Sequence, residues 1–372
     1  MFGGGTSRTY GVKFQARCIA AQAGEKHHTR FLVGTLSLRE ENELADDGSE
    51  VTCEGLYLHQ HEIWDLATCP FDSALLSTVY ASAGEYHAAI WRIPDKAFSY
   101  GTGAPSLQLA AELKGLEAPV KKVLWYGGDV ALHRVITIDE EIICAWDLAS
   151  STRAAQFASA KQRVTGSGLQ RLHTGAWDPH NADTIATTAD TSIACWDLRA
   201  AIKTASIEGA HHLQIRDIDF NPNHPHILAS AGDDSRIRLW DLRSTKQAIV
   251  ELPGHSHWTC SVRYNRFYDE LLLVIRLNTT HPCVLTYCLV RYNRFYDELL
   301  LSSGTDSAVN LWHVPSASAA AVADHLRAGP NPAGSGRAAA AAAGYPRGGV
   351  DELAVSFTDY EDSVYGGCSA VL

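Results

Sequence analysis

Histidine, serine and aspartate recur along this chain together with tryptophan, in a pattern that could suggest hydrolytic chemistry. In each recurrence the aspartate stands six residues before the tryptophan, and a serine, where present, stands four residues before the aspartate. The residues concerned are His211, Ser230, Asp234 and Trp240 in one unit, His255, Ser302, Asp306 and Trp312 in another, and Asp190 and Trp196 in a third. A catalytic triad is needed once, whereas this set repeats. We therefore predict no catalytic residues and interpret the set as structural, with a carboxylate fixing the histidine tautomer and the indole N–H finding an acceptor.

The elements that carry these residues are short strands separated by turns. Leu228–Arg243 indicates two strands around a Gly-Asp-Asp-Ser turn, and Trp-Asp closes the second strand. Trp91, Trp146, Trp196, Trp240 and Trp312 end similar strands, at successive gaps of 55, 50, 44 and 72 residues. A WD repeat is roughly 40–45 residues long. The sequence therefore predicts an all-β fold, a WD-repeat β-propeller.

The longest gap has a visible cause in the sequence. VRYNRFYDELLL occurs at Val262–Leu273 and again at Val290–Leu301, an offset of 28 residues. Removing that offset from the last gap leaves 44 residues, the length of an ordinary repeat. We interpret residues 274–301 as an insertion or duplication within the propeller.

The remaining domain organisation follows from composition. Residues 1–9 are Gly/Ser-rich and predicted to be disordered, 10–315 form the propeller, and 316–350 are an Ala/Gly/Pro-rich linker. Residues 351–372 resemble the start of a last blade, so we expect that blade to be incomplete and to leave an unpaired strand edge.

Charge and cysteine content exclude several classes of function. The net charge of −11 argues against nucleic acid as a partner, because that needs a basic face. Nine cysteines without Cys-x-x-Cys spacing predict neither a disulfide framework nor a zinc site, and no phosphate loop indicates a cofactor. No apolar run approaches the ~18 residues of a transmembrane segment. We expect a protein of the cytoplasm and nucleus.

Two arginines differ from the repeating residues. Arg199 and Arg243 each end a Trp-Asp-Leu-Arg sequence, whereas Ala149 takes that position in another unit. A solvated arginine at a blade edge is one interpretation. The other is a docking residue, because a planar guanidinium on a rigid strand end bonds bidentately and stacks. On that hypothesis, Arg243→Ala weakens partner capture with little effect on stability.

Several motifs resemble the WD-repeat family of the EARP and GARP complex-interacting protein. They are YGVKFQAR (Tyr10–Arg17), FLVGTLSL (Phe31–Leu38), HEIWDLA (His61–Ala67), RDIDFNPN (Arg216–Asn223), HSHW (His255–Trp258) and YEDSVY (Tyr360–Tyr365). LSLREENE, CEGL, ELPGHSHW and SSGTDSAVNLW resemble its plant branch, the DWD hypersensitive to abscisic acid proteins. Leu228–Arg243 fits the sixteen-residue DWD box of that branch, and the family has seven blades.

The plant resemblance implies a non-enzymatic scaffold that presents substrate proteins to a cullin-RING ubiquitin ligase and restrains abscisic acid signalling. The damaged-DNA-binding adaptor of the ligase would dock on Arg243, Asp241, Trp240 and Arg199. The animal branch implies the alternative, an adaptor of EARP and GARP tethering complexes with peripheral association at the trans-Golgi or endosomes. We expect protein partners in both cases.

Overall fold

The computed structural model describes the central part of the chain almost continuously and further strands on both sides of it. The described residues are 7–11, 16–22, 24, 30–35, 56–82, 84–94, 105–113, 118–127, 134–147, 162–165, 171–253, 255–264, 271–276, 284–289, 299–304, 309–313, 352–357 and 364–370. Within these ranges the regular structure is β-strand throughout, which confirms the predicted all-β fold. Nowhere in these ranges is there a helix long and apolar enough to cross a membrane.

The strands form antiparallel sheets, six of four strands and one of two strands within the described ranges. Before the central blades lie β1 (Ser7–Gly11), β2 (Ala16–Ala21) and β3 (Phe31–Thr35). Four blades then follow in chain order: β4 (Glu62–Thr68), β5 (Leu75–Ser82), β6 (Glu85–Arg92) and β7 (Gln108–Glu112); β8 (Val120–Trp125), β9 (Arg134–Asp139), β10 (Ile142–Asp147) and β11 (Gln162–Thr165); β12 (Leu172–Trp177), β13 (Thr184–Ala189), β14 (Ser192–Asp197) and β15 (Ile202–Ile207); β16 (Ile215–Phe220), β17 (Ile227–Gly232), β18 (Arg236–Asp241) and β19 (Val250–Pro253).

The later strands do not follow chain order. They are β20 (Thr259–Tyr264), β21 (Leu271–Arg276), β22 (Val284–Leu289), β23 (Leu299–Gly304), β24 (Val309–His313), β25 (Glu352–Phe357) and β26 (Val364–Ala370). One blade has the order β20-β23-β24-β25, and another sheet has the order β1-β22-β21-β26. β20 thus pairs directly with β23, Tyr264 opposite Leu300, and the blade omits β21 and β22.

One edge strand of each sheet lies at the centre of a closed ring. Going round the ring, the inner strands are β2, β4, β8, β12, β16, β20 and β26, and β26 packs against β2 to close it. Seven inner strands among the described residues agree with a seven-bladed propeller, for which the sequence predicts an incomplete last blade. Apolar side chains fill the space between consecutive blades: Ile90 on β6 shares a cluster with Trp146 on β10, and Ile193 on β14 shares one with Phe220 on β16. Burial between blades is what holds the ring together.

The Leu-Leu-Leu ends of the two copies of the duplicated sequence lie in two different sheets. In the first copy, Leu271 pairs with Ala370 of β26, and in the second copy Leu301 pairs with Arg263 of β20. The identical Leu-Leu-Leu segments therefore serve two sheets, because strand pairing is decided by the neighbouring strand available rather than by the segment itself.

Two sequence expectations differ from the structure. Residues 7–9, predicted to be disordered, belong to β1, which pairs with β22 from Ser7↔Cys288 to Gly11↔Val284. The expected unpaired edge at the last blade is absent from the described strands, since β26 pairs with β21, and β22 and β1 complete that sheet. Pairing satisfies the backbone N–H and C=O groups that an open edge exposes. Residues 1–6 and the predicted linker 316–350 lie outside the described residues.

Candidate protein-interaction surfaces

His211, Ser230, Asp234 and Trp240 meet at one end of the blade β16–β19. His211 Nδ1 lies 2.8 Å from Asp234 Oδ1, and His211 Nε2 lies 2.7 Å from Ser230 Oγ. The indole N–H of Trp240 donates to the same Ser230 oxygen at 2.9 Å. Every group is satisfied when His211 donates from Nδ1 and accepts the Ser230 hydroxyl at Nε2. The geometry has the order of a hydrolase triad, but Ser230 is completely buried, so its oxygen is not accessible to a substrate.

Gly232 makes room for this network. A Cβ atom at residue 232 would lie 2.9 Å from His211 Nδ1 and 3.0 Å from the Gln214 carbonyl oxygen. Movement of His211 Nδ1 would disturb its hydrogen bond to Asp234, and movement of the Gln214 oxygen would disturb the hydrogen bond that it accepts from the Asp233 N–H. The glycine of the Gly-Asp-Asp-Ser turn is therefore required by close approach of the histidine ring, in addition to turn formation.

The buried histidine makes the fold sensitive to mild acid. Burial lowers the pKa of His211 below its usual 6.5, although Asp234 opposes the shift. Below pH 6.5 the unfolded chain therefore binds a proton that the folded chain does not, and stability falls as the pH decreases towards the folded pKa. His211 is a single protonation site, so its lowered pKa can reduce the free energy of unfolding by at most about 1.4 kcal/mol per pH unit. Urea unfolding at pH 7, 6 and 5 measures this dependence of the free energy of unfolding on pH.

The matched variant for this pH prediction is His211→Gln, which cannot titrate. The variant should be less stable at pH 7, and its stability should fall less steeply between pH 7 and pH 5 than that of the unmodified chain. Equal slopes for the two proteins would contradict a lowered pKa at His211.

The other predicted network residues are placed differently in each blade. Trp196 donates to Thr187 Oγ1 at 2.8 Å, but Asp190 lies elsewhere and contacts His173 Nε2 at 3.2 Å. His255 contacts the side-chain amide of Asn310 at 3.4 Å. The side chains of Ser302, Asp306 and Trp312 lie outside the described residues.

One comparable network escaped sequence analysis. His59 Nε2 contacts Thr78 Oγ1 at 3.2 Å, and the Trp91 indole donates to the same oxygen at 2.8 Å. The separation of Thr78 from Trp91 is three residues longer than that of Ser230 from Trp240, because the hairpin between β5 and β6 is longer. A sequence pattern that allows a variable number of residues between the threonine and the tryptophan would identify this network.

A group of charged and polar side chains lines the axis of the ring, which the sequence analysis also missed. Asp217 on β16 accepts hydrogen bonds from Arg263 and Ser261 on β20, and Lys122 on β8 lies 3.6 Å from its other oxygen. Lys122 also donates to Thr174 on β12 at 3.2 Å. Burial alone would raise the pKa of Asp217, but Arg263 and Lys122 hold it below the usual value.

Asp65 on β4 adds a second carboxylate to this axial cluster, and burial raises its pKa, with Lys122 and Arg263 opposing the shift. The axial cluster therefore connects the inner strands of five blades. Its sequence signal is a polar residue at one position of each of these five inner strands, visible only when the repeats are aligned by strand.

Arg243 follows β18 and forms a fork with its own Asp241. Nε and Nη2 donate to the two carboxylate oxygens at 2.9 and 2.8 Å, and the Arg243 backbone N–H donates to Oδ1 at 2.9 Å. Burial would raise the pKa of Asp241, but these hydrogen bonds from Arg243 lower it. The Arg243 side chain is 45% exposed, so the fork holds it in place at the surface.

The four residues predicted to dock an adaptor therefore have different roles. Trp240 and Asp241 are buried, at 5% and 4% exposure, and of the two Asp241 is hydrogen-bonded to the exposed Arg243. Arg199 is exposed on the neighbouring blade at the equivalent turn, where Asp197 Oδ1 caps its backbone N–H at 2.8 Å. Both arginines follow the third strand of a blade and lie on one end of the propeller, which we call the Arg243 face.

The opposite end carries a feature that the sequence analysis did not foresee. The pairing register of every inner strand shifts near the start of the strand. The residues at which the register shifts are Arg17, Trp64, Lys121, His173, Arg216, Cys260 and Tyr365. Such β-bulges redirect a side chain and are common at the rims of barrels and beside functional sites. We call this end the bulge face.

In three consecutive blades, the bulge residue is a lysine, a histidine or an arginine that contacts an acid of the turn between the second and third strands. Lys121 Nζ lies 2.8 Å from Glu140, His173 Nε2 lies 3.2 Å from Asp190, and Arg216 forms a fork with Asp233 at 2.7 and 2.8 Å. These pairs tie each inner strand to its own turn. Across the described residues, no group of three or more histidine, cysteine or acidic side chains could hold a metal ion.

Comparison with known proteins places the fold in a family. The family model described as the EIPR1 beta-propeller matches residues 4–280. WD repeat-containing protein DWA2 of Arabidopsis thaliana is 40% identical over 98% of this chain and 91% of its own length. EARP and GARP complex-interacting protein 1 is 36% identical in Rattus norvegicus and 35% identical in Homo sapiens, each over 71% of this chain and 73% of the relative. This chain is a WD-repeat β-propeller protein and belongs to the EIPR1 β-propeller family.

Proposed function

We propose that this propeller is a non-enzymatic interaction scaffold, and that it acts as a substrate receptor of a cullin-RING ubiquitin ligase. The observation that carries the proposal is the geometry of Arg243, whose guanidinium is half exposed and fixed by two hydrogen bonds to a buried carboxylate. A fixed guanidinium loses little conformational entropy when a partner binds, which is why arginine is common among the residues that dominate interfaces.

Two further observations support a docking role on the Arg243 face. Arg199 presents a second arginine on the adjacent blade of the same face. The plant relative DWA2 aligns with nearly the whole chain, and Leu228–Arg243 fits the DWD box of the plant branch. We propose that the ligase adaptor docks on this face and that the hormone pathway restrained is abscisic acid signalling.

The decisive experiment measures capture of the damaged-DNA-binding adaptor by purified variants. Arg243→Ala should weaken binding about ten-fold or more, the loss expected of a dominant interface residue. Arg243→Lys keeps the charge beside Asp241 but not the fork, so it should bind with intermediate strength. Arg236→Ala is the matched control, because Arg236 is 41% exposed on the same strand but at the opposite end. Unchanged capture by Arg243→Ala would rule out docking through this residue.

The fork changes the expected stability of the alanine variant. From the sequence, Arg243→Ala should leave stability near that of the unmodified chain, but removing the fork leaves the Asp241 carboxylate buried with fewer donors. We expect a cost of about 1 kcal/mol, reduced from the value for a charged hydrogen bond because Arg243 is half exposed. Binding should therefore be compared at a temperature where both proteins are folded.

A second candidate function is an adaptor of tethering complexes. It is favoured by the rat and human relatives, whose name states that they interact with the EARP and GARP complexes. On this proposal the protein associates peripherally with the trans-Golgi or endosomes, whereas a ligase receptor works in the cytoplasm and nucleus. Affinity purification that returns tethering subunits and no ligase components would favour the adaptor.

A further inference from the structure

Two large exposed apolar side chains lie on the bulge face, one of them against Arg216 and the other three residues before Arg216 in the chain. Trp258 is 43% exposed in the segment leading into β20, and Leu213 is 52% exposed in the segment leading into β16. The other large exposed apolar residues of the described chain, Leu109 and Ile202, lie singly on the outer strands β7 and β15. Single exposed apolar residues are normal, whereas an exposed tryptophan beside an arginine is typical of a binding site.

Arg216 joins the elements of this region. Its guanidinium forms the fork with Asp233, and its Cζ lies 5.4 Å from the centre of the Trp258 ring. The ring of His257 lies 5.0 Å from that of Trp258. Leu213, Arg216, His257 and Trp258, with His212 beside them, define what we call the Trp258 patch.

The backbone under the patch is held rigidly. The Asp233 N–H donates to the Gln214 carbonyl at 2.9 Å, and the His212 N–H donates to Asp234 Oδ2 at 3.2 Å. The buried hydrogen bond between His211 and Asp234 ties the same loop to the same turn. Binding residues on a rigid support lose less entropy on association, so the patch is preorganised.

The charge that the patch exposes is the guanidinium of Arg216, which has hydrogen-bond donors and no acceptor. Arg216 is 37% exposed and His212 and His257 are both exposed, whereas the carboxylate of Asp233 is only 11% exposed. A complementary partner must supply acceptors, and carboxylates are the strongest acceptors for a guanidinium. It must also supply an apolar side chain to cover Trp258 and Leu213.

We propose that the Trp258 patch binds an extended protein segment in which an acidic side chain lies next to a large apolar one. The apolar side chain packs on Trp258 and Leu213, and the acid accepts hydrogen bonds from Arg216 and the neighbouring histidines. The patch lies on the bulge face, and Arg243 lies on the other end of the same blade. A six-residue strand at roughly 3.3 Å per residue separates the two by about 20 Å, so both surfaces can be occupied together.

This proposal is independent of whether the Arg243 face binds a ligase adaptor. Its test is selection of a phage-displayed library of random twelve-residue peptides on the full purified chain. We expect enriched peptides to place Asp or Glu within two positions of Trp, Phe or Leu. Their affinity should fall about ten-fold or more for Trp258→Ala. Arg216→Gln should remove the preference for acidic residues while retaining the apolar one.

Leu109→Ala is the matched control, since it removes an exposed leucine far from the patch and should leave peptide binding unchanged. Leu213→Ser serves as a second patch variant if Trp258→Ala melts at a lower temperature than the unmodified chain. Failure to enrich acidic and apolar pairs overturns the proposal. So does equal binding of the enriched peptides to the unmodified chain and the patch variants.

Discussion

Asp217→Asn should destabilise the propeller by about 3 kcal/mol, because a buried ion pair loses one partner while its cations remain. The carboxylate accepts hydrogen bonds from Arg263, Ser261 and the Val262 backbone, and it faces Lys122 at 3.6 Å. The side chains of Lys122 and Arg263 are 19% and 29% exposed, so solvent screening keeps the cost at the lower end for buried pairs. Urea unfolding at neutral pH measures the loss.

Asp233→Asn is the control for the axial prediction. Asp233 forms a fork with an arginine too, but Arg216 is 37% exposed, so the expected cost is below about 1 kcal/mol. A double-mutant cycle with Lys122→Met separates the pair interaction from other effects, and the double variant should recover part of the loss. Equal costs for Asp217→Asn and Asp233→Asn would contradict the role assigned to the axial cluster.

Asp234→Ala should cost about 3 kcal/mol or more, whereas Asp190→Ala should cost less than about 1 kcal/mol. The two residues stand at the same distance before a tryptophan, but Asp234 holds the buried His211 at 2.8 Å and Arg238 at 2.7 Å. Arg238 is itself only 9% exposed. The side chain of Asp190 is 55% exposed, and its Oδ1 atom lies 3.2 Å from His173 Nε2.

Thermal or urea unfolding of the two alanine variants in parallel checks this prediction. Asp190 has a second role that alanine does not remove, since its carbonyl accepts the Ile215 N–H at 2.7 Å. Its φ of 49° favours Asn or Gly over Ala, which adds a small cost to the variant. Asp190→Asn tolerates that conformation and isolates the carboxylate. Similar losses of stability for the variants at Asp190 and Asp234 would contradict this prediction. They would mean that the position of the aspartate in the repeat, and not its burial, decides how much it contributes to stability.

Local patterns were sufficient for the fold class and for much of one blade. Alternating apolar residues, turn residues and the recurring Trp-Asp pair predict short strands at repeat spacing, and the structure has them. The hydrogen bonds of His211, Ser230, Asp234 and Trp240 also follow from chemistry, because a buried indole and imidazole need partners. The same reasoning placed Asp190 in such a network, and there it was wrong, because no histidine precedes that blade at the position of His211.

The places where prediction failed involve contacts between distant parts of the chain. Asp217 interacts with Lys122 and Arg263, and these lie on three different blades. No periodicity in a single strand indicates that these charges face one another across an axis. The bulges at Lys121 and Arg216 depend likewise on pairing with a second strand, so a single strand pattern does not predict them.

Sequence alone therefore determined that the chain folds as repeated antiparallel blades and that Arg243 stands apart from the repeat. Tertiary structure decided which faces these residues occupy. It places Arg243 in a fork with Asp241 on one face and Arg216 against Trp258 on the other. It also pairs β26 with β21, although identical leucines form part of β23. The physical reason is that local sequence selects strand or turn, whereas pairing, burial and charge contacts depend on which distant segments the closed ring brings together.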